Sequence, residues 1–252
     1  MLSGLLAVAM VGVFPNAPIT LHYRVELRAV RSFDRSLTDT TGGEFAAIAF
    51  IATTLRDTTG GQIGHVVIDS VTCSGSGLLS MAYDPAVGRS SKDVWYDVLL
   101  IKGGAEVLPK PSLRNPLTDA IAQVTLELFP PVNRKLGSGE SWVDTLDIRT
   151  ATERWTESRP AITKWRVVSA TGDEERLEGD LAVIVSVSGQ VAGTGMIIGK
   201  RTMTVSATGA IRSAALSTTE QMLAAGQNAI EIRALRGTTT ATVTLIPAET
   251  RP

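Results

Sequence analysis

Residues 21–29 place the strongest constraint on what this chain can become. Leu21, Tyr23, Val25, Leu27 and Ala29 share one parity, and His22, Arg24, Glu26 and Arg28 share the other. A helix would scatter the two sets around its axis. A strand sends them to opposite faces, one buried and one wet. The same period of two recurs at Leu181, Val183, Val185 and Val187, at Met203, Val205 and Ala207, and at Ala241, Val243 and Leu245. Residues 44–55 are apolar on both parities, so a central strand covered on both faces is expected there. Residues 63–73 read as a further strand. Residues 93–101 fit strand or helix, and their aromatic content favours strand. Residues 211–222, with Ile230 and Ile232, continue the series.

Turn chemistry separates these runs: Asp57-Thr58-Thr59-Gly60-Gly61, Asp84-Pro85, Thr171-Gly172-Asp173, Ser188-Gly189-Gln190, Thr208-Gly209 and Arg236-Gly237. Many strands punctuated in this way, with no βαβ alternation, predict a mainly β fold. Antiparallel strands would form a curved sheet, half-barrel or sandwich. One helix is expected between two β-rich halves. Asn115 is a good N-cap, Pro116 suits the first helical position, and Leu117, Ile121, Val124 and Leu128 follow at helical spacing. Pro130 and Pro131 end that helix, Gly137 and Gly139 turn the chain, and Trp142 opens the next extended run. The expected organisation is an apolar segment over 1–17, a first β-rich half over 18–111, the helix and Pro-Pro hinge over 112–131, a second half over 132–247 and a tail over 248–252.

Residues 1–14 carry no charge and are almost wholly apolar. As a helix they would span roughly 21 Å, short of a bilayer core of about 30 Å. That length suits the apolar core of a secretory signal or a short membrane-dipping anchor, although the first basic residue is Arg24. An extracytoplasmic, periplasmic and membrane-associated protein is expected, with Leu5, Leu6 and Phe14 as contacts to a membrane surface.

Chemistry is sparse. The formal charge is −1, without the clustered basic excess that nucleic acid requires. Cys73 has no second cysteine to pair with, and its simplest role is that of a small buried residue. Two histidines and one cysteine do not make a convincing zinc site. The run 193–200 has glycines and a lysine but not phosphate-loop spacing, so a hairpin with glycine bulges is expected. Glu140, Asp144 and Asp147 do not form a carboxylate pair for glycoside chemistry, because parity sends Asp144 and Asp147 to opposite faces. The acidic turn at Asp173, Glu174 and Glu175, with Glu178 and Asp180, reads as a solvated hairpin tip. His22 lies on a wet stripe and His65 within a strand, and neither is placed beside a nucleophile. No catalytic, cofactor or metal residue is assigned. Trp142, Trp155 and Trp165 are candidates for core or edge packing, or for lining a ligand or partner surface.

Pro130-Pro131-Val132, followed by Leu136-Gly137-Ser138-Gly139-Glu140-Ser141-Trp142, resembles the central P-x-x-P-V…G-D-x-W signature of a group of uncharacterised exported bacterial β-rich proteins, with Glu140 in the Asp place. Residues 165–184 resemble that group's later Y-x-x…G…A-x-I pattern, with Trp165 at the Tyr position. The resemblance spans residues 90–220 and implies an extracytoplasmic β fold without a known active site.

Two functions are expected from this reading. The first is a non-enzymatic accessory or scaffold subunit docking on a membrane protein assembly. A bacterial photosynthetic reaction-centre and antenna complex is one instance. The second is a periplasmic carrier whose half-barrel, lidded by the helix, holds a lipid or other apolar ligand.

Overall fold

The computed structural model describes residues 20–34, 40–58, 61–101, 104–109, 115–125, 137–151, 155–189, 192–207, 209–225 and 234–247. The helix end beyond residue 125, the Pro-Pro hinge, Ile230, Ile232 and the apolar segment 1–17 lie outside these residues.

The described chain is mainly β. Its strands are β1 (Thr20–Asp34), β2 (Thr40–Thr58), β3 (Gly61–Gly75), β4 (Trp95–Ile101), β5 (Gly104–Pro109), β6 (Ser141–Ala151), β7 (Trp155–Ala170), β8 (Glu174–Gly189), β9 (Ala192–Ser206), β10 (Ile211–Ala225) and β11 (Ala234–Leu245). Two helices, α1 (Pro85–Ser90) and α2 (Pro116–Thr125), accompany them. Antiparallel pairing runs without a break from β6 through β11, across to β1 and β2, and on to β5. The two ends of this curved sheet, β5 and β6, meet in parallel over Gly104–Asp147, Ala105–Ile148 and Glu106–Arg149. The strand order therefore returns to its start as a barrel with a short seam. First and last strands are partners: Val25 faces Val243 and Leu27 faces Ala241.

The alternation predicted for β1 holds. Tyr23, Val25, Leu27 and Ala29 are buried inside, while Arg24, Glu26 and Arg28 are exposed outside. β2 departs from expectation, because its outer parity, Ala46 and Ile48, faces solvent. Among the described residues no second layer covers it. Its apolar outer residues are tolerated because they are small or isolated, and scattered surface apolar residues are ordinary. Glu44, Lys164, Asp180 and Lys200 also point outward. Among the described residues no helix is long and apolar enough to cross a membrane.

Inside, the end of the barrel where β1 starts is packed solid. Tyr23, Ile51, Trp165, Val167, Met203, Ile211 and Val243 fill it within one continuous core. Burying each large apolar side chain contributes roughly 1.5–3 kcal/mol.

α2 begins as predicted. Asn115 Oδ1 accepts from the Thr118 amide at 2.9 Å, and Thr118 Oγ1 accepts from the Asn115 amide at 3.0 Å. This reciprocal cap uses Thr where Glu or Gln is usual. Leu117, Ile121, Ala122 and Val124 are buried, and Tyr96 of β4 meets Thr125 hydroxyl to hydroxyl at 3.0 Å. Asp84-Pro85, expected as a plain turn, instead opens α1: Asp84 Oδ1 accepts from the amides of Ala86 (2.6 Å) and Val87 (2.9 Å). Asn115 Nδ2 donates to Ser91 Oγ at 3.0 Å, tying the two helices together.

Candidate ligand-binding cavity

The inward parity of several strands changes character along its length. On β1 it runs Tyr23, Val25, Leu27, Ala29 and then Arg31 and Phe33; on β7 it runs Val167, Trp165, Thr163, Ala161 and then Arg159 and Glu157. β10 carries Leu216, Thr218 and Glu220 in the same sense. Large apolar groups thus fill one end of the barrel, and charged groups collect at the other.

Between them lies a cavity of about 410 Å³. One wall is apolar, formed by Leu146, Ala161, Leu181, Val183, Ile197 and Leu216. Opposite stand Asp119, Ala120, Gln123 and Val124 of α2, with Leu79 and Tyr83 from the excursion between β3 and β4. Tyr83 is held by stacking on Phe45, with ring centroids 3.8 Å apart and parallel planes. Burial pushes its phenol up to about 12, with the Arg31 charge opposing the shift. The volume lies within the range of about 300–1,000 Å³ usual for small-molecule sites, which are likewise apolar with a few placed polar groups.

Those polar groups are organised. Arg31 pairs with Glu220 and also donates to the Thr238 carbonyl (2.9 Å) and Thr239 Oγ1 (2.9 Å). Arg159 pairs with Glu157. Deeper, Arg201 is only 9% exposed, donates to Thr163 Oγ1 at 3.1 Å and lies over the Trp165 ring, 5.4 Å from its centroid. Trp165 also stacks with Trp142, centroids 6.2 Å apart. Among the described residues, the indole Nε1 atoms of Trp142 and Trp165 are buried without a hydrogen-bond partner. Asp144, on the same inward parity of β6, has its carboxyl raised by burial, against the lowering effects of the Thr145 amide and the Arg201 charge.

Sequence reasoning brought Trp142 and Trp165 forward, and the structure joins them through the register of β6 and β7. The side chains of Trp155, Leu5, Leu6 and Phe14 lie outside the described residues. Arg31, Arg159, Arg201 and Glu220 were missed, although each carries a charge on a parity that is otherwise apolar.

The other candidates remain apart. His65 Nδ1 meets Asp97 Oδ1 at 2.7 Å, and Thr54 is the neighbour of His65 in register. This row lies on the convex outer wall, and Thr54 Oγ1 makes its hydrogen bond with Thr20 Oγ1 at 2.9 Å. His22 stands 3.5 Å from Asp69. At the acidic turn, Glu178 pairs with Arg166 and Glu174 with Arg212. Residues 193–200 form no hairpin: they lie within the single strand β9, paired in continuous register with β8 and β10. Asp147 accepts from Ser158 Oγ at 3.2 Å, away from Asp144. Cys73 is buried, with Sγ donating to the Asp84 carbonyl at 3.1 Å. Among the described residues no group of three or more His, Cys, Asp or Glu side chains converges as metal ligands.

No family model matches the chain, and no curated protein matches it. A solved structure titled "Asymmetric conductivity of engineered proteins" aligns at 9% identity over 90% of this chain and 100% of that one, with a TM-score of 0.22.

Proposed function

We propose that this chain is a carrier that holds a small amphipathic ligand inside its barrel and performs no bond chemistry on it. The observation that carries this reading is the cavity between α2 and the Leu181–Val183–Ile197 wall, with its charged side chains gathered at one end. An apolar body would displace water from the wall, contributing about 25 cal/mol per Å² buried, while the polar end fixes its orientation. The apolar residues 1–14 support an extracytoplasmic station close to a membrane, where such ligands partition. Native mass spectrometry of the full chain, purified without detergent, tests the reading. A bound small molecule released by organic solvent is expected. Failure of any apolar or amphipathic compound to bind would end the proposal.

A second reading, docking as an extrinsic accessory subunit on a membrane protein assembly, is favoured by one surface. Ile162, Ile184, Met196, Ile198 and Leu223 are exposed on neighbouring strands of the outer wall. Comigration of the chain with a membrane complex on native gels, lost when Ile184 and Ile198 are both changed to Asp, is its expected result.

A further inference from the structure

We propose that the ligand of this cavity is an uncharged aliphatic compound with a single hydroxyl or carbonyl oxygen, held at Tyr83 and Thr218; this rests on the carrier reading above. The charges of the lining argue first. Arg31, Arg159 and Arg201 stand against Asp119, Glu157 and Glu220, so the wall as a whole is balanced. Each of these groups is also engaged within the protein. Arg31 pairs with Glu220, and Arg159 with Glu157. Arg201 donates to Thr163 and acts on the buried Asp144 carboxyl, and Asp119 has an interaction of its own. An ionic head group of either sign would lose its hydration and find its counter-charge taken.

Two neutral polar groups are in the opposite condition. Tyr83 and Thr218 line the same cavity and are only 8% and 9% exposed. Among the described residues neither hydroxyl has a hydrogen-bond partner. The Tyr83 phenol lies within electrostatic reach of Arg31, Asp119 and Glu220, all on the cavity wall. Burial keeps it protonated at neutral pH, and therefore a donor. Thr218 sits between Leu216 and Glu220 on the inward parity of β10. A ligand oxygen accepts from the phenol and shares a hydrogen bond with the threonine. Stacking on Phe45 fixes the Tyr83 ring, so the donor is in place before the ligand arrives. The aliphatic body of the ligand then lies against Leu181, Val183 and Ile197 on the facing wall.

Calorimetric titration of the full chain at neutral pH compares decan-1-ol, decanoate and decylammonium, one chain length with three head groups. Decanol should bind at least about tenfold more tightly than either ion. Tyr83→Phe should weaken decanol about three- to tenfold, the worth of one neutral hydrogen bond. Its urea midpoint without ligand should hold or rise, because the hydroxyl it removes has no partner among the described residues. A merely structural role would lower that midpoint. Should this variant fail to fold, Thr218→Val is expected to weaken decanol to the same degree. Either ion binding as tightly as decanol, or a decanol affinity untouched by both substitutions, would overturn the assignment while the carrier reading stands. Binding of none of the three compounds would overturn both.

Discussion

Trp165 and Gly179 face each other across β7 and β8, and the indole lies where a side chain on residue 179 would be. A Cβ on Gly179 would come within 2.9 Å of Trp165 Cε3 and 2.7 Å of Thr163 Cγ2. On the far side Gly179 pairs with Arg201, so the missing side chain brings ring and guanidinium together. Gly179→Ala should destabilise the protein by about 1–3 kcal/mol through overpacking, read as a lower urea midpoint. It should also change tryptophan fluorescence. An unchanged midpoint would show that the ring does not occupy this space.

The Arg31–Glu220 pair is mostly shielded from water, at 17% and 12% side-chain exposure. Removing one partner leaves an uncompensated charge, at a cost on the order of 3 kcal/mol. Glu220→Gln alone should therefore be damaging. The double variant Arg31→Met with Glu220→Met should recover most of the loss, because a pair of apolar side chains carries no stranded charge. Denaturant melts of the three variants measure the coupling.

Tyr96 and Thr125 should respond unequally. Thr125 Oγ1 also donates to the Ala122 carbonyl at 2.7 Å, so Tyr96→Phe leaves it satisfied and costs about 1 kcal/mol. Thr125→Val strands the fully buried Tyr96 hydroxyl and should cost more, about 1–3 kcal/mol. Hydrogen exchange should show α2 loosening in the second variant and little change in the first.

Asp144 gives the protein a pH signature. Its carboxyl is raised in the folded state by burial, so between the ordinary carboxylate value and the raised one the folded chain holds more protons than the unfolded chain. Stability from this group is present below the ordinary value and declines as pH climbs through that window. Asp144→Asn should abolish this part of the decline, checked by urea midpoints over a pH series. An identical slope in both proteins would refute the assignment.

The strands were legible because a period of two needs only neighbours to be seen, as in Tyr23, Val25 and Leu27. The start of α2 was legible because Asn115-Pro116 is local chemistry. The fate of Ile48 was not, because one strand's pattern does not say whether a second layer exists. Nor was the pairing of Leu27 with Ala241, which no local signal specifies. The cavity left a trace that parity could have exposed: Arg31 follows Ala29 on the buried stripe, and Arg201 precedes Met203. A guanidinium on an apolar stripe tends to mark a place where something polar is housed. Trp142 and Trp165 were visible as bulky side chains, but their stacking required the register of β6 on β7.

Arg31 reaches the backbone of Thr238 across 207 positions of chain. A strand whose mate is so distant must wait with one rim of amides and carbonyls bare until β11 has been made. Such long-range topology slows folding, and an uncovered rim invites association with other chains. Newly synthesised copies should therefore depend on a holding chaperone, and on dilution, far more than the finished molecule does.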